Sequence, residues 1–251
     1  MKPEPLARSS GCAQCAGQQQ CMLGRQSEDR RSRWAPLLTE RPMGKGELLL
    51  QQGEMPLTFR IVKTGMVMLL CGGEDRVDRP IGLFGPGQPL GTTVLVQQPA
   101  AVSCRALTQG RLCEVQVAAA GQQGLFDEVF LWTLAQSYAQ TIAGVAEWAR
   151  IVRIRGVPGQ LAATLLQLAR LQRSTLVRLP SHVVLADLLS TTRESIARAL
   201  RQLVLHKGLV RRDRWHCEIE RDALLALACG QKSVKKTKRR TPAALHQPIV
   251  G

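Results

Sequence analysis

Apolar and polar positions follow three successive patterns along this chain. From about Arg41 to Val117, short apolar runs (ELLLQQ, FRIVKTG, MVMLLC, RPIGLFG, AVSCRAL, RLCEVQV) are broken by glycines that include Gly46, Gly53, Gly65, Gly72 and Gly91. Short strands with turn residues at regular spacing predict an antiparallel β-roll or barrel. Over 127–155 the period changes. Leu131, Ala135, Tyr138, Ile142, Val145, Ala149 and Val152 recur at alternating steps of four and three. That is the a/d seam of a two-stranded coiled coil on one long helix, with Leu134 and Trp148 off the seam and free to pack on the roll. Gly156, Pro158 and Gly159 interrupt this helix, and residues 160–173 form another amphipathic one.

The third pattern lies in LPSHVVLADLLSTTRESIARALRQLVLHKGLVRRD, residues 179 to 213. Pro180 stops the preceding segment and Ser181 is placed to cap a first helix, whose apolar face is Leu185, Leu188 and Leu189. Ser190 and Thr191 make a corner, and Thr192 caps a second helix with Ile196, Leu200, Leu203 and Val204 inward. Arg193, Glu194 and Arg198 stay off that stripe, in the first two turns. A helix-turn-helix needs this placement, because the start of its second helix enters the major groove and meets base edges. Arginine bonds guanine O6 and N7, and glutamate accepts from cytosine N4. A solvated helix face is the plainer alternative. Gly208 then closes the helix, and LVRRDRWHCEIE predicts a hairpin turning near Asp213, which makes the unit a winged helix-turn-helix.

Charge sharpens this picture. The net charge is +15 and the pI about 10.3, a field that favours a polyanionic partner. Basic residues crowd the C-terminal half, so nucleic acid is preferred to a membrane surface. No apolar run is long enough to span a bilayer, and the N-terminus lacks a signal-peptide core. A cytoplasmic protein with reduced cysteines is expected. The glycines carry no G-x-G-x-x-G or P-loop signature. The histidines, at 182, 206, 216 and 246, show no nucleophile–base pairing, so an enzyme is not expected.

The cysteines add chemistry. Residues 1–33 are polar and carry CAQCAGQQQC, which sets Cys12, Cys15 and Cys21 in C-x2-C-x5-C spacing. Such a segment has little to bury, and thiolates around a metal would order it. The simpler alternative is a tail with incidental thiols. Three cysteines do not complete a zinc site or a cubane cluster, so a fourth is needed, with Cys71, Cys104 and Cys113 as candidates. Spacing alone leaves zinc and iron–sulfur both open.

A β-roll, a long helix and a winged helix-turn-helix in this order resemble the Crp/Fnr family of bacterial transcription regulators over about residues 10 to 228. RPMGKGELLLQQGE and FGPGQPLG resemble the family's roll signature, and SHVVLADLLSTTRESIAR its helix-turn-helix, with Ser190 in place of the usual corner glycine. The resemblance implies an α+β fold: an N-terminal antiparallel β-roll of the cyclic-nucleotide-binding type, a long dimerisation helix and a C-terminal winged helix-turn-helix. The cyclic-nucleotide branch holds its ligand with an Arg-Ser pair and a glutamate. Here those positions are Ala100, Ala101 and Thr92, so no cyclic nucleotide is expected. The Fnr branch instead binds an oxygen-labile [4Fe-4S] cluster through the same C-x2-C-x5-C spacing and one roll cysteine. By that resemblance the ligands are Cys12, Cys15, Cys21 and Cys113, with Cys104 the fallback for the last. Zinc in the same set is the alternative cofactor, a regulator of this type answering another effector is the alternative within the class, and an Fe–S redox protein is the alternative class.

The expected plan is thus a cysteine-rich segment (1–33), a sensory roll (34–126), a dimerisation helix (127–156), a DNA-binding domain (157–230) and a basic disordered tail (231–251). The seam of the homodimer comprises Leu131, Tyr138, Ile142, Val145 and Val152, and Val145 stands where the Fnr branch carries an aspartate. Thr192, Arg193, Glu194 and Arg198 are the expected DNA contacts. Arg193 points to palindromic DNA with TGTGA-like half-sites, or a hybrid that tolerates TTGAT. RNA polymerase is the further partner that the resemblance implies.

Overall fold

The computed structural model describes residues 12–75 and 77–230. The basic tail at 231–251 and the first eleven residues of the cysteine-rich segment lie outside the described residues. The fold is α+β, as expected. Strands β1 (Leu38–Met43), β2 (Leu48–Leu50), β3 (Phe59–Thr64), β4 (Val67–Gly72), β5 (Asp78–Phe84), β6 (Pro89–Leu90), β7 (Ser103–Ala106) and β8 (Gly110–Val115) make two antiparallel four-stranded sheets. Their orders are β1-β8-β3-β6 and β2-β7-β4-β5.

Period-two alternation decides what each face touches. Met43, Val62 and Leu112 point into the roll, against Leu50, Leu69 and Cys104 of the other sheet. Leu38, Phe59, Ile61 and Val115 point the opposite way, and that outer face is buried too. It is covered by Met22, Leu23 and Trp34, each 0% exposed, and by Phe130. This corrects the expectation that residues 1–33 have little to bury. The apolar side chains there are few, but they are placed in one patch, each contributing on the order of 1.5–3 kcal/mol before entropy. Helix α1 (Glu28–Trp34), capped by Ser27, follows the cysteine loop and carries Trp34 inward.

After the roll come α2 (Val117–Gln122), which the sequence pattern did not predict, and the long helix α3 (Glu128–Ile151), capped by Asp127 and ended at Val152. Trp148 is buried as expected, its indole N–H donating to the Pro80 carbonyl at 2.9 Å. Leu131, Ile142 and Val152 are exposed. Tyr138 is exposed as well, and of the expected seam only Val145 is half-buried. Tyr138 gives part of its surface to a hydrogen bond with Thr92 at 2.5 Å, and Val145 packs partly against the roll core beside Gly82. A second line of exposed side chains on α3 runs through Trp132, Ala135, Ala139, Ile142, Ala146 and Ala149. It keeps the three-four spacing but is rotated from the expected seam by a fraction of a turn, and Ala135, Ile142 and Ala149 are common to both.

Helix α4 (Val157–Gln172), strand β9 (Leu176–Arg178), helices α5 (His182–Leu188) and α6 (Arg193–Leu205), strands β10 (Leu209–Arg211) and β11 (His216–Ile219), and helix α7 (Arg221–Ala228) complete the chain. The hairpin gains a third strand, β9, beside β11. Leu161, Leu165, Leu188, Ile196 and Leu203 of this unit share one core with Trp148 and Ile151 of α3 and with Met66 and Leu83 of the roll. Roll and winged unit are therefore joined by packing as well as by chain. Among the described residues no helix is long and apolar enough to cross a membrane.

Candidate functional site

Cys12 opens a short 3-10 turn, and the chain then coils back on itself, with Cys21 N–H donating to Gly17 O at 3.1 Å and Arg25 N–H to Cys21 O at 3.0 Å. This loop lies over β3: a Cβ on Gly17 would sit 3.7 Å from the Lys63 carbonyl and 3.8 Å from the Cys15 sulfur. Cys113 comes from β8, opposite Glu40 of β1 and Ile61 of β3, on the outer sheet face that the loop covers.

The four sulfurs are electrostatic neighbours. Burial pushes Cys113 up to about 12, with Cys21 and Cys12 adding to the rise. Burial pushes Cys12 to about 11, helped by Cys21 and Cys15. Cys21 is raised by burial and by Cys15, against bonds from Gly24 and Leu23. All four are free thiols. Lys63 faces Cys113 and Cys15, its ammonium held 2.6 Å from Glu40. Among the described residues no three Cys, His, Asp or Glu side chains stand close enough to hold one metal ion. Cys104 is buried in the interior of the roll, Cys71 is on β4 in the same sheet, Cys217 is buried in the winged unit and Cys229 is exposed at the end of α7. None of these four is among the charges acting on Cys12, Cys21 or Cys113.

The DNA-facing helix is built by local capping. Ser181 accepts from Val184 N–H at 3.4 Å and Thr192 from Ser195 N–H at 3.2 Å, so each helix starts where its cap predicts. The corner residue Ser190 has φ +48, the left-handed conformation that glycine adopts more readily. Ile196, Leu200 and Leu203 are buried as expected; Val204 is 44% exposed and does not belong to the inward stripe. The helix ends at His206, with Lys207 taking the left-handed position, while Gly208 is needed for close approach: a Cβ there would lie 2.9 Å from Leu224. Thr192, Arg193, Glu194 and Arg198 are all exposed on the first turns of α6, and Arg198 donates to Ser195 Oγ at 3.3 Å.

The sequence reading omitted Arg201 and the wing arginines. Arg201 is exposed one turn beyond Arg198, and Arg211 and Arg214 are exposed on the hairpin, Arg214 stacked 4.9 Å from the Trp215 ring. The run RRDR at the hairpin turn is the signal that would have found the latter two. Asp213 shapes that turn by accepting from Trp215 and His216 N–H, at 2.6 and 2.7 Å. His182, at the start of α5, is held below its ordinary pKa by burial and by Arg211 and Arg193. These charges make one positive face suited to phosphates and base edges.

In the roll, Ala100 is buried, with its backbone bonded to Glu54 and Gly53, and Thr92 bonds Tyr138.

Two family models match the chain: the cyclic nucleotide-binding domain over residues 40–122 and the Crp-like helix-turn-helix domain over 159–227. Together they cover more than half of it. No curated protein matches by sequence. Among solved structures, FixK2 from Bradyrhizobium japonicum has TM-score 0.64 at 19% identity, covering 79% of this chain and 99% of that one. A Crp-family transcriptional regulator from Thermus thermophilus has TM-score 0.60 at 19% identity, covering 76% and 97%. The c-di-GMP-responsive global regulator CLP of Xanthomonas campestris has TM-score 0.58 at 20% identity, covering 75% and 97%. Those likenesses establish the fold. With a cyclic-nucleotide-type roll, a long helix and a Crp-like helix-turn-helix in that order, the chain belongs to the Crp/Fnr family of DNA-binding transcription regulators.

Proposed function

We propose that this regulator is a cytoplasmic homodimer that senses oxygen or redox state through a [4Fe-4S] cluster on Cys12, Cys15, Cys21 and Cys113. The observation that carries the reading is that Cys12 and Cys21 of the N-terminal loop and Cys113 of β8, all free thiols, pack against one buried core, with Cys15 in the same loop. The donor set fits the group. Buried neutral thiols that repel one another as thiolates become favourable once iron supplies the opposing charge. A cubane offers a separate iron to each cysteine, so its ligands stand further apart than those around one ion. Zinc on the same four cysteines is the alternative, and metal and sulfide analysis separates the two. When bound, the cluster supplies oxygen-labile iron–thiolate bonds. The chain's own part is to order the loop on β3 and β8, with Lys63 as a nearby counter-charge.

Loss of the group would loosen residues 12–25 on the roll. Their contact with the rest is close at Gly87 (φ +87), where a Cβ would come within 2.3 Å of the Gln20 carbonyl. The neighbouring Gly85 abuts Leu171 of α4. This is a short route from the cysteine loop to the winged unit, and a ligand that favours one arrangement of it biases how the two recognition helices are presented. The DNA read is a palindrome of TGTGA-like or hybrid TTGAT-like half-sites, with RNA polymerase as the downstream partner. Anaerobic purification with iron and sulfide analysis, followed by DNA binding before and after exposure to air, tests the reading. A colourless protein with one zinc would overturn the sensor while leaving the DNA-binding role intact.

A further inference from the structure

A cleft of about 450 Å³ lies where four parts of the chain meet: the cysteine loop, the turn after β5, the middle of α3 and the end of α4. It is distinct from the roll interior around Ala100 and Thr92. Arg25, Arg170 and Arg173 line it and are exposed, whereas Gln167 is 5% exposed. Charge therefore surrounds the mouth and an amide lies at the floor. Among the described residues no ion pair engages any of the three arginines. Glu147 also lines the cleft, but its carboxylate is bonded to Arg150 at 2.7 and 2.9 Å. The Gln167 Oε1 atom is buried and has no hydrogen-bond partner. Gly144 of α3 leaves open space beside it, with nothing within 4 Å of where a Cβ would be.

We propose that this cleft is a second effector site, which binds a small phosphate ester carrying a hydroxyl or N–H donor. Guanidinium groups bind phosphate oxygens through charge-assisted bonds. A buried amide oxygen left unpartnered is unfavourable, and rotation of the Gln167 amide toward the cleft would let a ligand donor relieve it. The volume is within the range of about 300–1,000 Å³ common for small-molecule sites. Nucleotides and sugar phosphates share this chemistry. A ligand there ties Arg25, four residues beyond Cys21, to the end of α4, so it would act on the same junction as the cluster without being bound to it.

Isothermal titration of the full chain with adenosine monophosphate, ribose 5-phosphate and inorganic phosphate tests the proposal. One saturable site per chain is expected for at least one of the two esters in metal-free protein, through Arg170 and Arg173, and a tighter one in cluster-loaded protein, where the loop holds Arg25 in place. Failure of the cluster and failure of the cleft are thus read separately. Binding of both esters locates the determinant in the sugar phosphate, and binding of the nucleotide alone locates it in the base. Arg170→Gln should weaken binding about tenfold or more, and Arg173→Gln reads the same site should Arg170→Gln melt early. Gln167→Leu should weaken the ester that binds and leave inorganic phosphate unchanged. Gly144→Leu should fill the cleft and abolish binding without removing any charge. No binding of either ester at millimolar concentration, or binding indifferent to Arg170→Gln, Arg173→Gln and Gly144→Leu, would overturn the proposal.

Discussion

Arg30 and Asp127 face each other fork to fork, two guanidinium nitrogens each 2.6 Å from a separate carboxylate oxygen. Asp127 is also the N-cap of α3, accepting from Phe130 N–H at 3.1 Å. One side chain thus starts the long helix and holds the helix that follows the cysteine loop. The hydrogen bond from Arg30 keeps the Asp127 carboxyl down at about 2. A depressed carboxyl contributes stability above its unfolded value and loses it as pH falls toward the folded one, so this latch should release only in strong acid.

Asp127→Asn separates the two roles, because asparagine still caps a helix but does not pair with arginine. The pair is partly solvated, so the expected cost is about 1 kcal/mol or less. It should fall on the N-terminal segment, read as faster amide exchange in residues 22–34 with α3 unchanged. Asp127→Ala should add the loss of the cap, about 1 kcal/mol more, and destabilise the start of α3 as well. Equal exchange behaviour of the two variants would refute the division of roles.

The cysteines make a sharper set. Anaerobically prepared protein should be brown, with about four iron and four sulfide per chain. Replacing Cys12, Cys15, Cys21 or Cys113 singly with serine should bleach it, while Cys104→Ala should not. Retention of colour by Cys113→Ser and its loss in Cys104→Ala would move the fourth ligand into the roll interior.

Much of this was legible in the chain. The caps Ser181 and Thr192, the strand–turn rhythm of the roll and the C-x2-C-x5-C spacing are local signals, and local signals survive being read in isolation. What escaped depended on partners distant in sequence. Met22, Leu23 and Trp34 look isolated in a polar segment until β3 and β8 present Phe59, Ile61 and Val115 to them. β9 is only three residues long and takes its identity from β11. The α3 heptad likewise fits either of two adjoining lines, and the partial burial of Val145 on the roll depends on residues far from it in sequence.

On the DNA, Arg198→Ala should cost about 1–3 kcal/mol and relax one guanine position, and Arg193→Ala should do the same at another. Arg201→Ala and Arg214→Ala, if those residues reach phosphate alone, should weaken binding evenly across sequences and lower the salt dependence by about one counterion each. Selection from random duplexes is the measurement. TTGAT sites with no preference for guanine at the second position would refute the role given to Arg193.

The pH dependence of the winged unit should centre on His182. Burial, with Arg211 and Arg193 facing it, lowers its pKa in the fold, and Arg201 lines the same cleft. The unfolded chain then binds the proton more readily, so stability is full above the ordinary histidine range and declines as pH drops through it. His182→Asn should flatten the fall in melting temperature between about pH 8 and pH 5. An unchanged slope would show that His182 does not set the acid sensitivity.

A dimer through α3 would depend on which of its residues remain free. Val145 stands where the Fnr branch has an aspartate, and a facing pair of acids would oppose association because both must be desolvated while repelling. With valine there, the protein is expected to remain dimeric without its cluster, and signalling to work by reorienting the winged units or ordering the N-terminal segment. The structure shifts the weight of that argument to Ile142, which is 67% exposed and common to both lines of α3, whereas Val145 is partly taken up by the roll beside Gly82. Burying Ile142 against its copy gains about 1.5–3 kcal/mol for each side chain, and the alanines at 135, 139, 146 and 149 let two helix backbones come close. Light scattering of the air-exposed, metal-free protein at micromolar concentration should therefore give a dimer. Ile142→Asp should give a folded monomer with little change in thermal stability per chain, because the side chain has few neighbours within its own subunit. Val145→Asp should instead lower the melting temperature of the roll, since its carboxylate would face Gly82 and the apolar core behind it. A stable monomer from Val145→Asp with Ile142→Asp still dimeric would restore the original seam, and a monomeric wild type would show that neither line is enough without the cluster.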